Sequence, residues 1–248
     1  MSQFNVSSCC LQGCVRSNNE DMILAHHKFL RSESNCQTVI YNSLSRSIFA
    51  VADGMGGHES GEVASSETLH NLEFFYYDMP QGLSISEFND AMVSWLESVN
   101  RKISHRETLH PGLNEMGTTL VAMAYYEGHF FRMHCGDSRL YLFSEGQLRQ
   151  LTIDHSLNTF MGEEKHSNII TNCIGGGCTT SYMDIFDIQG EVKRGDMLLL
   201  CSDGLNDMLP DSRIAEILSE GGDAETLAEA AVKAGGYDNV SACLITIE

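Results

Sequence analysis

Apolar positions along this chain recur with two different periods, and each change of period predicts a change of secondary structure. Residues 47–52 (SIFAVA) form a nearly unbroken apolar run that is typical of a buried strand. Residues 59–79 then follow a helical period, and a second helix is predicted to begin at Ser86, a residue type that favours the N-cap. The two helices each carry a stripe on one face, at Ala64, Thr68, Leu72, Phe75 and Met79 and at Phe88, Met92, Trp95, Val99 and Ile103. Such a stripe is typical of a helix that covers a sheet, so both are expected to pack in the core rather than bind a partner.

The middle of the chain predicts two β-hairpins. Two pairs of strand-like segments are each joined by a Glu-Gly dipeptide, and a two-residue loop that ends in glycine favours antiparallel pairing. These pairs are residues 118–126 with 129–135, and residues 139–143 with 147–152. Further strands are predicted at residues 184–188, 197–201 and 242–247, and further helices at residues 212–219 and 223–234.

The order of these elements predicts antiparallel sheets with helices on their outer sides. Strands, two helices, many strands, two helices and a final strand follow one another, without the strict alternation that builds a parallel sheet. No linker separates them, so we predict a single domain over residues 1–248. The least regular part is a flap-like segment, residues 156–177, which is polar and ends in glycines as a lid near a site would.

Composition argues against several classes of partner. The formal net charge is −19, whereas binding to a nucleic-acid backbone needs a basic surface, so no nucleic acid is expected. The sequence has no apolar stretch of about 18 residues and no apolar segment at its N-terminus, so neither a membrane span nor a signal peptide is expected. Nine cysteines without regular spacing are typical of reduced thiols, which indicates a cytoplasmic protein.

Five short acidic motifs carry the candidate chemistry. They are residues 19–21 (NED), 53–58 (DGMGGH), 136–139 (GDSR), 202–204 (SDG) and 238–239 (DN). Most lie at the edge of an apolar run, beside glycine or a small polar residue, where a strand ends and a turn begins. One such motif alone is typical of a turn, but five together indicate carboxylates that share a cleft. A site built from Asp and Glu favours Mg²⁺ or Mn²⁺ over zinc or copper.

The motifs, taken in order, resemble those of the metal-dependent PPM (type 2C) protein serine/threonine phosphatases of bacteria. The matching segments extend from about residue 13 to residue 247, nearly the whole chain. They are residues 13–21 (GCVRSNNED), 51–58 (VADGMGGH), 116–119 (MGTT), 136–139 (GDSR), 154–156 (DHS), 195–205 (GDMLLLCSDGL) and 236–240 (GYDNV). The resemblance implies an α+β fold, a four-layer α-β-β-α sandwich in which two antiparallel sheets are flanked by helices.

The resemblance also implies a set of metal ligands. Asp53 is expected to bridge two Mn²⁺ or Mg²⁺ ions, with the carbonyl group of Gly54 on one of them. Asp203 and Asp238 are expected to hold the other ion. Asp137 is expected to form a weaker third metal site together with Asp203.

Other residues are expected to act beside the metals. Glu20 and Asp21 are expected to act through metal-bound water, and Arg16 to grip the substrate phosphate, for which its planar guanidinium is suited. Without the resemblance, a salt bridge to a nearby acid is the simpler interpretation of Arg16. His58 is a candidate general acid, because histidine has a suitable pKa.

Three features depart from the family pattern. Animal members place a histidine two residues after the bridging aspartate, where this chain has Met55, and His58 follows three residues later. His155 is expected to be structural, bonded to a turn. The segment 154–175 is shorter than the usual bacterial flap, and Asn172 stands where an arginine is common, so substrate specificity stays open.

The function expected is hydrolysis of phosphoserine and phosphothreonine in proteins, by a hydroxide that bridges two divalent metals. A serine/threonine kinase and its targets are the expected partners, and a monomer that contacts neither nucleic acid nor membrane is the expected state. Two alternatives remain open. One is a catalytically weak regulatory relative that binds phosphoproteins, and the other is a phosphatase of small phosphoesters.

Overall fold

The computed structural model describes residues 2–56, 60–109, 116–162, 169–178 and 180–248. In chain order the strands are β1 (Ser2–Leu11), β2 (Met22–Ala25), β3 (Lys28–Leu30), β4 (Ser34–Tyr41), β5 (Arg46–Ala52), β6 (Gly54–Met55), β7 (Gly117–Thr118), β8 (Leu120–Tyr126), β9 (His129–Cys135), β10 (Arg139–Ser144), β11 (Gln147–Gln150), β12 (Ile174–Gly175), β13 (Asp184–Asp187), β14 (Met197–Cys201) and β15 (Val240–Ile247). The helices are α1 (Ser60–Asp78), α2 (Ile85–Leu109), α3 (Leu157–Met161), α4 (Asp203–Asn206), α5 (Asp211–Ser219) and α6 (Ala224–Ala234).

Two large sheets form the centre of the molecule, and every strand pair in them is antiparallel. The first sheet has the order β11-β10-β14-β15-β1-β4, and the second has the order β13-β9-β8-β5-β2-β3. A small third sheet, β12-β7-β6, joins the flap to the strand that follows β5. Both predicted hairpins form, since Glu127 and Gly128, and likewise Glu145 and Gly146, have the positive φ angles that such turns require.

Apolar side chains fill three layers between these elements. The inner faces of the two sheets meet around Phe4, Phe49 and Ile245, where the Phe4 and Phe49 rings pack edge to face at 5.8 Å. Helices α1 and α2 cover the outer face of the second sheet, and α5 and α6 cover that of the first. The α+β fold expected from the sequence, a four-layer α-β-β-α sandwich, is therefore confirmed.

The predicted helices begin within one or two residues of their predicted starts, and the N-cap of α2 differs from the prediction. Helix α2 begins at Ile85 rather than after Ser86, because Ser84 is the residue that caps it. The Ser84 hydroxyl accepts from the Glu87 backbone N–H at 3.3 Å, and the Glu87 carboxylate accepts from the Ser84 backbone N–H at 2.9 Å. This reciprocal capping box makes the cap at Ser86 a wrong prediction.

The flap-like segment is anchored at both ends. Ser156 and Ile170 form an antiparallel bridge, and the backbone N–H of Thr171 donates to the carbonyl of His155 at 2.8 Å. Helix α3 follows the first anchor and β12 follows the second, so the segment is more regular than its sequence suggests. Residues 163–168 lie outside the described part of the chain.

Two further observations bear on the setting of the protein. No helix in the described residues has the length and apolar character that crossing a membrane requires. No disulfide bond joins the nine cysteines, all of which lie in the described part of the chain.

Candidate active site

The strand-end acids of both sheets meet at one cavity of about 350 Å³. Five residues singled out in the sequence line this cavity together with Arg16: Glu20, Asp53, Gly54, Asp203 and Asp238. Larger depressions, of about 580 and 630 Å³, lie beside the start of α6, but they collect none of these motif residues, so size does not locate the site.

Asp53 lies at the base of the cavity because two threonines fix its backbone. Its N–H donates to the Thr119 hydroxyl at 3.1 Å, and its carbonyl accepts from the Thr119 N–H and from the Thr118 hydroxyl, both at 2.9 Å. Thr119 lies between β7 and β8, so the predicted strand 118–126 is interrupted at the residue that holds Asp53. Burial, and after it the charge of Asp21, raises the pKa of Asp53 well above its usual value.

Gly54 brings three segments of backbone into contact. A Cβ atom on Gly54 would lie 2.1 Å from the carbonyl oxygen of Gly61 and 2.6 Å from that of Glu20. No side chain fits there, so glycine is required for the loop before β2 and the start of α1 to approach β6. The glycine-rich motif after Asp53 signals this close approach in the sequence.

Asp203 and Asp238 enter the cavity from the first sheet. Asp203 begins α4 directly after β14, and Asp238 precedes β15. A Cβ atom on Gly204 would lie 1.9 Å from the carbonyl oxygen of Asn239, which explains the glycine in the SDG motif and keeps the two acidic segments adjacent.

Asp21 is buried behind the cavity rather than in its wall. One carboxylate oxygen accepts from the Ser202 hydroxyl at 2.7 Å, and the other has no hydrogen-bond partner among the described residues. Burial raises its pKa to about 7, although the hydrogen bond from Ser202 opposes the shift. Burial also raises the pKa of Glu20, against the opposing effect of nearby Arg16.

Asp137 is the second buried acid. It is 1% exposed, and within the described ranges neither of its carboxylate oxygens has a hydrogen-bond partner. Burial, and then the charge of Asp203, raises its pKa to about 8. An uncompensated buried carboxylate is costly, so the fold keeps this group for a reason other than stability.

These observations test whether the residues suit divalent cations. The donors are carboxylate and carbonyl oxygens, which hard cations such as Mg²⁺ and Mn²⁺ prefer. Burial and mutual repulsion raise the pKa of Asp21, Asp53 and Asp137, and bound positive charge would relieve both effects. The site therefore fits the metals expected from the sequence.

Arg16 lies on the rim of the cavity and is paired with Asp238. Its NH2 atom donates to Asp238 Oδ2 at 2.5 Å, and the two side chains are 54% and 35% exposed. The structure thus contains the salt bridge that was the simpler interpretation of this arginine. Arg16 also faces the cavity, as a residue that grips phosphate must.

His58 lies outside the described residues, so its role stays a prediction. Met55, which stands in its place in the family pattern, is in β6 and lines the cavity.

His155 makes structural contacts, as expected. Its Nδ1 atom accepts from the Gly136 N–H at 3.1 Å and from the Asn172 amide at 2.8 Å, so the proton of the neutral ring is on Nε2, which lies 3.3 Å from Asp184 Oδ2. His134 completes a cluster with these two residues, within 4.8 Å. Because Nε2 carries the proton, His155 is not available there as a metal ligand.

Asn172, the position where an arginine is common, is a positioning residue in this chain. Its side chain donates to the carbonyl of Tyr182 at 2.8 Å and accepts from the N–H of the same residue at 3.1 Å. The side chain is 1% exposed and is not among the cavity-lining residues, so its hydrogen bonds tie the flap-like segment to Tyr182.

Sequence reasoning missed the residues that tie the acidic loops together. The Asn239 amide accepts from the Glu20 N–H at 2.8 Å and donates to the carbonyls of Gln12 and Asn18, both at 2.9 Å. Arg31 donates to the Asp21 carbonyl at 3.0 Å. Asn239 had a signal, since it belongs to an acidic motif, whereas Arg31 had none.

Comparison with known proteins decides the family. A sequence model described as Protein phosphatase 2C matches residues 29–234, most of the chain. The chain belongs to the protein phosphatase 2C family. The family expected from the motifs is therefore confirmed.

Named relatives of this protein phosphatase 2C chain are bacterial. The serine/threonine protein phosphatase PstP of Mycobacterium tuberculosis is 33% identical over 240 residues, which cover 93% of this chain and 42% of PstP. The serine/threonine phosphatase stp of Listeria monocytogenes is 33% identical over 225 residues, which cover 84% of this chain and 87% of stp. The chain thus spans less than half the length of PstP but most of the length of stp.

Solved structures share the fold of this protein phosphatase 2C chain. The serine/threonine phosphatase of S. agalactiae superposes with a TM-score of 0.83 at 29% identity, covering 99% of this chain and 100% of that one. The catalytic domain of PstP, solved in complex with two manganese ions, superposes with a TM-score of 0.75 at 29% identity, covering 100% of this chain and 99% of that one.

Proposed function

We propose that this chain is a metal-dependent phosphatase that hydrolyses phosphoserine and phosphothreonine in proteins. The observation that carries this proposal is the convergence of Glu20, Asp53, Asp203 and Asp238 on one cavity with Arg16 at its rim. Membership of the protein phosphatase 2C family and the names of the bacterial relatives support the same activity.

The acidic residues would hold two Mn²⁺ or Mg²⁺ ions. Asp53 and the Gly54 carbonyl would bind one, and Asp53, Asp203 and Asp238 the other, with Asp137 and Asp203 contributing to a weaker third site. Two bound divalent ions supply an activated water molecule and neutralise charge that develops on the phosphate. The two manganese ions in the PstP catalytic domain support this assignment.

Arg16 binds the substrate phosphate without giving up its salt bridge. Asp238 uses only the NH2 atom of the guanidinium among the described contacts. A guanidinium has five N–H donors and Asp238 takes one, so the second N–H of NH2 and a neighbouring nitrogen remain as a fork for two phosphate oxygens. The pair with Asp238 then orients the guanidinium, and the two interpretations of Arg16 are compatible.

Two exposed apolar side chains next in sequence to Arg16 and Asp238 favour a polypeptide substrate over a small phosphoester. Val15 and Tyr237, the neighbours of Arg16 and Asp238 in sequence, are 63% and 65% exposed. Exposed apolar side chains beside a phosphate-binding residue provide contacts for the residues around a phosphorylated side chain. Phosphorylated proteins are therefore the proposed substrates, and a serine/threonine kinase that phosphorylates them is the proposed opposing enzyme.

The proposed setting is the cytoplasm, with the chain acting as a monomer. Nine cysteines that form no disulfide support a reducing compartment.

Phosphate release from a phosphothreonine peptide tests the proposal. The chain is assayed as purified, after exhaustive treatment with EDTA, and after Mn²⁺ is restored, with p-nitrophenyl phosphate as a parallel small substrate. We expect activity to disappear with EDTA and return with Mn²⁺, and kcat/KM to favour the peptide. Full activity after chelation would contradict the metal-dependent mechanism, and turnover of the small substrate alone would contradict the protein substrate.

A further inference from the structure

Two cysteines lie in the wall of the proposed active-site cavity. Cys173 precedes β12 and Cys178 follows it, and both line the cavity that holds Asp53 and Asp203. Their Sγ atoms are 3.2 Å apart. A disulfide bond is about 2.05 Å long, so the two sulfur atoms would have to approach by only about 1 Å to become bonded.

The loop between the cysteines holds the thiols in this position. Gly175, Gly176 and Gly177 all have left-handed backbone angles, with φ of 73°, 58° and 77°, and the Cys178 N–H donates to the Gly175 carbonyl at 2.9 Å. Three successive residues of this conformation favour glycine and turn the chain back on itself.

Asn100 of helix α2 fixes both ends of the same loop. Its side chain accepts from the Gly175 N–H at 2.7 Å and donates to the Cys178 carbonyl at 3.1 Å. The amide is 6% exposed, so these hydrogen bonds are shielded from water. The proximity of the two thiols is therefore built into the packing of the loop against α2.

We propose that Cys173 and Cys178 are an oxidative modification site, which a hydroperoxide converts to a disulfide, and that this disulfide reversibly inhibits the adjacent active site. The inhibition rests on the proposed phosphatase function, whereas formation of the disulfide does not.

The two steps of the reaction differ in which thiol acts. Cys178 is partly exposed and Cys173 is 4% exposed, so the Cys178 thiolate attacks the peroxide first. An S–O bond forms and the O–O bond breaks, which gives a sulfenic acid on Cys178 and releases water or an alcohol. The Cys173 thiol then attacks the sulfenic sulfur, so the S–S bond forms, the S–O bond breaks and water leaves. The two sulfur atoms together lose two electrons, and the peroxide gains them.

The small sheet connects the thiols to the acidic cluster. The Gly176 N–H donates to the Met116 carbonyl at 2.8 Å, and a Cβ atom on Gly117 would lie 2.8 Å from Gly176 Cα. Strand β7 in turn pairs with β6, in which Gly54 opposes Thr118. A movement of the thiol loop therefore reaches the backbone beside Asp53 through two strand pairings.

Peptide mass spectrometry tests the formation of the disulfide. Trypsin cleaves after Lys165 and Lys193, and the peptide between these sites contains Cys173 and Cys178 and no other cysteine. After treatment with hydrogen peroxide and alkylation, we expect this peptide to carry no alkyl group and to be two hydrogen atoms lighter than the reduced peptide. Reduction with dithiothreitol followed by a second alkylation should then add two alkyl groups. Alkylation of both cysteines after a dose of peroxide that oxidises exposed Cys14 would overturn the proposal.

Enzyme assays and metal binding test the inhibition. In the wild type we expect peroxide treatment to lower both the activity and the affinity for Mn²⁺, measured by calorimetry, by at least about tenfold. Losses of this size follow when groups that support a metal site are removed. In Cys178→Ser, peroxide should change neither the activity nor the affinity for Mn²⁺. Cys14→Ser, which removes an exposed thiol outside the pair, should respond like wild type.

The possible failures are distinguishable. A disulfide that forms without changing either the activity or the affinity for Mn²⁺ would overturn the regulatory part of the proposal. Reduced protein that releases no phosphate with Mn²⁺ would instead contradict the proposed function, and the peptide mass and Mn²⁺ affinity would still decide whether the thiols pair and whether the pairing affects the metal site.

Discussion

Two acidic side chains near the GDSR motif show how the fold treats buried charge. Asp154 is 8% exposed and accepts three hydrogen bonds from Arg139, with Nε 3.0 Å from both oxygens and NH2 2.6 Å from Oδ2. Asp137 is two residues from Arg139 and 1% exposed, yet its oxygens have no partner in the described part of the chain. The chain neutralises Asp154 with its own arginine, whereas Asp137 is left for a bound cation to neutralise.

The same contrast separates scaffold from site throughout the molecule. Buried charges that the chain satisfies itself hold loops in place, and a mutation there should reduce stability. Acids that converge on the cavity should instead control metal binding and turnover. Mutations of the two kinds should therefore have opposite signatures.

Breaking the satisfied pair should have the largest effect. Asp154→Ala leaves Arg139 buried and unpaired, which typically costs about 3–5 kcal/mol. We expect the free energy of urea unfolding, measured in EDTA, to fall by this amount. Glu191→Ala, which breaks the exposed Arg149–Glu191 pair, is the matched control and should cost less than about 1 kcal/mol. Equal effects of the two mutations would show that the buried pair does not stabilise the fold.

Changing the acid at the centre of the site should act on turnover instead. Asp53→Asn keeps the shape of the side chain but removes the charge that would be shared between two metals. We expect turnover of a phosphothreonine peptide to fall by at least about 100-fold, the upper range for loss of a group that supports a metal site. The free energy of unfolding, measured in EDTA, should not decrease. Near wild-type turnover at modest Mn²⁺ would remove Asp53 from the site.

Arg16 should have an intermediate effect, confined to substrate. For Arg16→Ala we expect kcat/KM to fall by an amount equivalent to roughly 2–3 kcal/mol of transition-state stabilisation. Arg16→Lys should recover only part of this loss, because a point charge cannot replace the two parallel hydrogen bonds of a guanidinium. The exposed salt bridge to Asp238 contributes little to stability, so the melting temperature should change only slightly. A lower melting temperature with unchanged KM would instead show that Arg16 is structural.

The smallest effect, and the one of unusual sign, is expected for Asp137→Asn. The folded-state pKa of Asp137 is raised from 3.8 to about 8, so the wild-type protein loses stability as the pH rises between these two values. Asparagine does not ionise, so in EDTA the variant should match wild type near pH 4 and exceed it by at least roughly 1 kcal/mol near pH 9. Unfolding curves at both pH values measure this, and a variant that is less stable near pH 9 would contradict the raised pKa.

The order of elements was predictable because apolar periodicity is a local property of the sequence. The predicted helix over residues 59–79 is α1, and the final predicted strand belongs to β15. Strand β1 was missed because its buried positions include Ser8, Cys9 and Cys10, which do not form an apolar alternation. Ser8 is buried at no great cost because its hydroxyl donates to Cys243 Sγ at 3.3 Å, a contact that sequence alone does not reveal.

The sequence predicted which acids form the candidate site but not how deeply each of them is buried. Strand-end motifs indicated which acids converge, and Glu20, Asp53, Asp203 and Asp238 line one cavity. The burial of Asp21 and Asp137 behind that cavity depends on packing between sheets, which no motif encodes. Asn239 and Thr119 belong to the DN and MGTT motifs, but the hydrogen bonds by which their side chains hold the acidic loops are visible only in the structure.

The acids that converge on the cavity are expected to form a site for two divalent metals, and Mn²⁺ titration by calorimetry tests this most directly. The chain, freed of metal by EDTA and dialysed near neutral pH, should bind about two ions, with a weaker third site near saturation. Asp53→Asn should lose most of this binding, because it removes the carboxylate that both ions would share. Absence of Mn²⁺ binding to the folded wild-type chain, or equal binding by Asp53→Asn, would contradict the account.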